Sequence, residues 1–160
     1  MKLLADAGAV FVGQGIAYDG IATFADYADV PAGRKIEFPI CEDLNVGAAI
    51  GMALAGLELP VVCIPRIDFL LRAADQLVNH LDKLALMSAG QFRPKVIIRT
   101  RVGARVPLDA GPQHSQDHSE AFRLMLTTVD VRKITEPGEI LATYRDALAS
   151  ERSSLVVEAL

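Results

Sequence analysis

Short apolar runs alternate along this chain with stretches whose apolar positions recur at helical spacing. The runs AVFVG (9–13), RKIEF (34–38), PVVCI (60–64), KVIIRT (95–100), VDVRKIT (129–135) and SSLVVEAL (153–160) read as strands. They are rich in β-branched residues and too continuously apolar for half-exposed strands. Segments 16–28, 44–56, 68–88, 118–127 and 137–150 read as helices. Gly56 is placed to stop the second of these and Pro137 to open the last. Asp117 and Glu120 have the spacing of a capping box at the start of the 118–127 helix. ARVPLDAGPQHSQ (104–116), with Pro107, Gly111 and Pro112, reads as a loop. This order predicts an α/β fold: a three-layer, doubly wound, mostly parallel sheet with helices on both faces. No repeat, low-complexity tract or linker divides residues 1–160, so a single domain is expected.

In such folds ligands bind where strands end and helices begin. That rule singles out four segments, 13–20, 39–45, 64–68 and 100–116. Glu42 lies in the second and His114 in the fourth.

Composition narrows the choice of ligand. The net charge of -4 argues against nucleic acid, which needs a basic face. No apolar run reaches the roughly 18 residues of a membrane span. Asp6 breaks the N-terminal apolar run too early for a signal peptide. Cys41 and Cys63 form no CxxC pair, which suits a reducing cytoplasmic setting. A mean hydropathy of +0.30 is high for a free-standing domain and suggests that a partner covers part of the surface.

The stretch PICEDLNVGAAIGMALAG (39–56) places an acid, Glu42, at the foot of a helix made of Gly, Ala and small aliphatics. Gly47 and Gly51, four apart, share a face that can approach another backbone closely. Ordinary core packing and contact with another subunit or a ligand both fit that pattern. Beside such a contact the Glu42 carboxyl would be partly desolvated.

The motifs FPICEDLNVGAAIGMALAG, IDFLLRAADQLVNHLDKLALMSAGQF and GPQHSQ occur in this order. Together they resemble the transketolase-like pyrimidine-binding domain of thiamine-diphosphate-dependent enzymes. Within that family the likeness is to the beta subunit of the 2-oxo acid dehydrogenases, over about residues 9–160. The resemblance implies a role for Glu42: a hydrogen bond to a ring nitrogen of the cofactor's aminopyrimidine. That bond favours the imino tautomer, which takes the proton from the thiazolium carbon. A helix-start acid favoured by the dipole is the plainer alternative. Phe69 matches an aromatic that stacks on the aminopyrimidine, where a core Phe is the alternative. His114 matches a histidine near the substrate end of the cofactor, which would stabilise or protonate charge on the substrate or steer the acceptor.

The resemblance also carries Asp68, Asp75 and Gln76, which read as structural or interfacial, with both acids on one helix face. Gln113, Ser115 and Gln116 flank His114 and are placed to position it or to touch a neighbouring subunit. His80 reads as a helix-surface residue and His118 as a first-turn residue without a chemical role. Arg99, Arg101 and Arg105 form a basic cluster. It could bind a substrate carboxylate or phosphate, meet an acidic partner, or lie solvated in a loop.

The chain departs from the family at three points. Gln14 and Gly15 stand where the family has an acidic residue after the strand-ending Gly, so the usual substrate is not assumed. The family's beta subunits continue with a second domain that helps dock a lipoyl-carrying core. Here the chain stops after the first domain's last expected strand, as a short subunit or a shortened piece would, and transfer to lipoamide is not expected. The GDG motif of the diphosphate and metal domain is also missing, since the YDG at 18–20 belongs to the match already made. The expectation is therefore a split enzyme. This chain would bind the pyrimidine, and an alpha-like subunit would supply the diphosphate site and the Mg2+ ligands, in an assembly such as α2β2. It would act on a 2-oxo acid or ketose donor by decarboxylation, or by transfer of an acyl or two-carbon unit. A catalytically silent binding or regulatory module that kept the fold is the alternative.

Overall fold

The computed structural model describes residues 1–20, 22–107 and 109–160, with backbone alone for residues 22–24. Ile21, within the expected 16–28 helix, and Leu108, within the expected 104–116 loop, lie outside the described residues. Strands β1 (Val10–Gly13), β2 (Lys35–Glu37), β3 (Pro60–Cys63), β4 (Ile97–Arg101), β5 (Asp130–Ile134) and β6 (Ser154–Glu158) form one sheet in the order β2-β1-β3-β4-β6-β5. Every pairing is parallel. The expected strands are all present, and the sheet is wholly parallel.

Side chains alternate across the sheet and build two cores. Val10, Val12, Val62, Ile98, Leu155 and Val157 face α2 (Glu42–Leu54), the helical stretch 67–87 and α5 (Ser119–Met125). Phe11, Val61, Cys63, Ile97, Ile134 and Val156 face α1 (Lys2–Asp6), Tyr27 and α6 (Ile140–Ala149). The α1 turn is absent from the sequence reading, because five residues carry too little periodicity to register as a helix.

Three expectations are corrected. The 16–28 helix is reduced to a 3-10 segment at Ala22–Tyr27, preceded by bends. At these bends the Glu37 carboxylate, at the end of β2, accepts from the backbone N–H groups of Gly15, Ile16 and Ala17. The long 68–88 helix is a succession of short pieces. α3 (Ile67–Leu70) runs into a 3-10 turn (Leu71–Ala73), a π-helical stretch (Gln76–Leu81) and α4 (Leu84–Met87). These changes of pitch put Asp68 and Asp75 in different environments. Asp68 is buried, whereas Asp75 is exposed and pairs with Asn79 at 2.8 Å and His80 at 3.3 Å.

The third correction concerns the capping box of Asp117 and Glu120, which does not form. α5 starts at Ser119, Asp117 accepts from the Ser119 N–H and binds Lys133 at 2.6 Å, and Glu120 binds Arg123. A capping box does form one helix later, where Glu136 and Glu139 enclose Pro137. The small-residue helix shows both kinds of surroundings. Gly47 packs against Gln76, where an added Cβ would lie 3.3 Å from Oε1, while Gly51 faces open space. α2 ends as expected. Gly56 takes φ +69°, and the bonds Gly56 N to Ala53 O and Leu57 N to Met52 O close a Schellman motif.

One acid ties the irregular helical stretch to the sheet. Asp82 is fully buried and accepts from the backbone N–H groups of Thr127, Thr128 and Val129, the Thr127 hydroxyl and Lys83 Nζ. Burial by itself would raise its pKa, but Lys83 and these donors outweigh it and hold the carboxyl well below the usual carboxylate range. We expect Asp82→Asn to lower unfolding free energy by about 2–4 kcal/mol at neutral pH, since it leaves buried donors poorly matched. A depressed folded-state pKa contributes stability above the unfolded value near 4, and that contribution fades as pH falls towards the folded value. Urea melts between pH 2 and 7 should therefore show the gap between wild type and variant closing only in acid.

Candidate functional site

In a parallel sheet every strand delivers its following loop to the same edge. Register pairs Gly13 with Glu37 and with Cys63, and Cys63 with Arg99. The segments carrying Gln14, Glu42, Phe69 and His114 therefore all leave from one edge. β1 is also where the strand order reverses, with β2 on one side and β3 on the other. Ligands of such sheets bind in the crevice at that point. A small cavity there is lined by Gln14, Ile16, Ile64 and Pro65. β1 and β3 close tightly beneath it, since a Cβ on Gly13 would lie 2.6 Å from the Cys63 carbonyl oxygen.

Glu42 opens α2, half-buried, with Asp43 beside it in the first turn. Acids are favoured at this positive end of a helix. Among the described residues nothing bonds the Glu42 carboxylate, so its oxygens are open to a ligand. Phe69, in α3, packs partly against the core. Its ring meets the His114 imidazole edge to face, with centroids 5.4 Å apart and planes at 84°. The structure thus brings together two residues separated by 45 positions in the chain.

His114 sits in a tight turn. Gly111 O accepts from His114 N at 3.0 Å and from the Ser115 hydroxyl at 3.1 Å. Ser115 is buried in that role, whereas Gln113 is exposed. Gln116 donates its backbone N–H and its Nε2 to Asp68 Oδ1 at 3.2 and 3.1 Å. Arg66 Nη1 donates to His114 O at 2.7 Å. Gly103 lies directly under that carbonyl, where a Cβ would come within 1.8 Å of the oxygen. His118 occupies the N-cap position of α5, and its buried Nε2 has no partner among the described residues.

The basic cluster divides. Arg99 is buried in β4, not solvated in a loop. It binds Glu158 at 2.5 and 3.0 Å, Asp26 at 2.9 Å and the Tyr27 hydroxyl at 2.9 Å. Burial disfavours its charge, but Tyr27 and Glu158 outweigh that and raise its pKa. Arg101 shares Asp26 and is about one-third exposed. Arg105 is exposed in the following loop. Arg66, Arg99 and Arg101 line a 620 Å³ cleft with Asp26 and Glu158. Most of this guanidinium charge is therefore already matched by carboxylates. Among the described residues no group of three or more His, Cys, Asp or Glu side chains is placed to hold a metal. Both cysteines are free, Cys41 exposed and Cys63 buried, and burial pushes the Cys63 thiol up to about 12. No helix of the described residues is long and apolar enough to cross a membrane.

Sequence reasoning missed Glu37, Arg66 and Gly103. Only Gly103 left a trace, as a glycine just after a strand. The bonds made by the other two depend on pairings far along the chain.

A parallel sheet with an acid, an aromatic and a histidine at its carboxyl edge defines a class of ligand-binding α/β domain. Comparison with known proteins sharpens that class. The family model for the transketolase pyrimidine-binding domain matches residues 5–159, and the chain belongs to that family. It is 31% identical over 125 residues to the chloroplastic pyruvate dehydrogenase E1 component subunit beta-3 of Arabidopsis thaliana, covering 78% of this chain and 30% of that protein. To the pyruvate dehydrogenase E1 component subunit beta of Chlorokybus atmophyticus it is 29% identical over 152 residues, covering 93% and 44%. The chain thus spans less than half the length of these relatives. Among solved structures, a split-gene transketolase described as an inactive beta4 tetramer superposes with a TM-score of 0.72 at 18% identity, over 98% of this chain and 48% of that one.

The Glu37 clamp yields a test of how the Gln14 loop is held. Its carboxylate accepts from Gly15 N at 2.5 Å and from Ile16 N and Ala17 N at 3.0 Å. Glu37→Ala should speed hydrogen exchange of these three amides by roughly tenfold or more, because they lose their acceptor. Exchange in β3 and β4 should stay unchanged.

Proposed function

We propose that this chain forms the pyrimidine-binding side of a thiamine-diphosphate-dependent enzyme, completed by an alpha-like subunit that holds the diphosphate and Mg2+. The observation that carries this reading is the convergence of Glu42, Phe69 and His114 on one edge of the sheet, in the order of the family's motifs. The residues present fit half of the cofactor. An unpaired carboxylate suits a ring nitrogen, and an aromatic ring suits a planar heterocycle. In this reading the metal and phosphates fall to the partner, as the family resemblance implies.

When bound, thiamine diphosphate supplies a carbon nucleophile for attack on a carbonyl. Glu42 Oε would hold a proton shared with a ring nitrogen of the pyrimidine. Phe69 would supply an aromatic face for the heterocycle. His114 faces the substrate and donates to, or steers, developing charge there. Gln14, Gln113, Ser115 and Arg101 are held as lesser contacts to substrate or partner. Relatives named for pyruvate, 2-oxoisovalerate and acetoin support a small carbonyl donor, and ketose donors remain within the same chemistry. The outcome is decarboxylation, or transfer of an acyl or two-carbon unit, with carboligation as open as oxidation.

Exposed Ile40, Leu44, Leu54 and Leu57 on and around α2 support burial against another chain, in an αβ or α2β2 assembly. A cytoplasmic setting agrees with the two free cysteines.

Calorimetric titration of thiamine diphosphate with Mg2+ tests the assignment. Binding should be tight only when the chain is mixed with its alpha-like partner. Binding by this chain alone would move the phosphate site onto it. No binding in either case would favour a silent module. In the assembled enzyme, Glu42→Ala should abolish turnover while leaving assembly intact, and wild-type rates would sink the assigned mechanism. His114→Ala should slow a substrate-dependent step by roughly 100-fold, within the range for a general acid or base, while leaving cofactor affinity nearly unchanged.

A further inference from the structure

We infer that Arg66 and Asp68 are positioning residues that pin the turn carrying His114 against Phe69, and so set the geometry of the substrate end of the site. The inference rests on the catalytic reading of His114 given above, but the pin itself is visible independently of it.

Within the turn, the Gly111 carbonyl takes the His114 N–H and the Ser115 hydroxyl. Those bonds shape the turn without placing it. The chain leading into it is poorly anchored, since Ala104, Arg105, Val106, Pro107, Asp109 and Ala110 are all exposed. A segment with so few buried contacts belongs to the low-stability end of a fold unless something ties it down.

Two ties come from the segment after β3. Arg66 Nη1 donates to His114 O at 2.7 Å, on one side of the imidazole-bearing residue. Two residues on, Asp68 Oδ1 accepts both the backbone N–H and the Nε2 of Gln116. One tie holds the histidine's carbonyl and the other holds the backbone two residues later. Between them Phe69 presents its ring to the imidazole. Arg66, Asp68 and Phe69 lie on one short segment, so a single piece of chain carries the aromatic platform and both pins. Gly103 completes the seat, because any side chain there would meet the His114 carbonyl and the Arg66 guanidinium. Asp68 is itself buried, which makes it a fixed point and not a flexible surface acid.

Hydrogen exchange on the full chain, alone and with its partner, reads the pin without reference to activity. Exchange at amides 111–117 should rise by about tenfold or more in Arg66→Ala, and equally in Gln116→Glu, which sets a second carboxylate against Asp68. Protection in β4 and α2 should hold in both. Gln116 is exposed, so its variant keeps the test alive if Arg66→Ala fails to fold. Arg66→Lys should restore protection in part, because a single ammonium replaces a planar fork.

In the assembled enzyme, Arg66→Ala should lower kcat by about tenfold with cofactor affinity within about twofold, and should add nothing further in a His114→Ala background. Wild-type exchange at 111–117 in both pin variants would overturn the inference, as would a loss fully additive with His114→Ala. If exchange rises but His114→Ala turns over normally, the pin stands and the catalytic reading of His114 falls.

Discussion

A fully parallel sheet cannot leave a face in water, because its crossover helices must lie on its faces and its strands are apolar on both. That constraint governs the rest of this molecule. Both sheet faces carry a packed core, so polar function is pushed to the edges. Since all six described strands run the same way, the loops after β1, β2, β3 and β4 emerge together. Gln14, Glu42, Phe69 and His114 are neighbours of that edge because of strand direction, and chain proximity contributes nothing.

The charges inside the fold follow the same logic. Arg99 lies on a central strand, where an unpaired guanidinium would be prohibitive, and it is met by Glu158, Asp26 and the Tyr27 hydroxyl. Tyr144 donates to Glu158 at 2.7 Å and extends the network to α6. On the other face Asp82 gathers the amides that precede β5 and binds the irregular helical stretch to them. These groups are spent on holding strands and helices in register. The half-buried acid at the head of α2 is not committed in this way: among the described residues nothing bonds its carboxylate.

The edge that carries Glu42, Phe69 and His114 is flanked by exposed aliphatics on and around α2. The 620 Å³ cleft beside them is lined by arginines largely neutralised by Asp26 and Glu158. The relatives that this chain matches are themselves named as subunits.

The succession of strands and helices along the chain, the fold class and the order of the three motifs were readable from local pattern, because β-branched runs and helix-stop residues act over a few positions. Gly56 and Pro137 did what their backbone preferences require. The broken pitch of residues 67–87 was not readable, since apolar spacing at three and four fits α, 3-10 and π turns alike. Nor was the fate of Arg99: a charge near the end of a strand looks the same in sequence whether it meets solvent or a carboxylate 59 residues away. The seat of His114 depends on Arg66, Asp68 and Gly103, whose partners lie 11 to 48 positions off along the chain. Contacts at that separation are set by how the sheet closes, so only the folded chain could decide them.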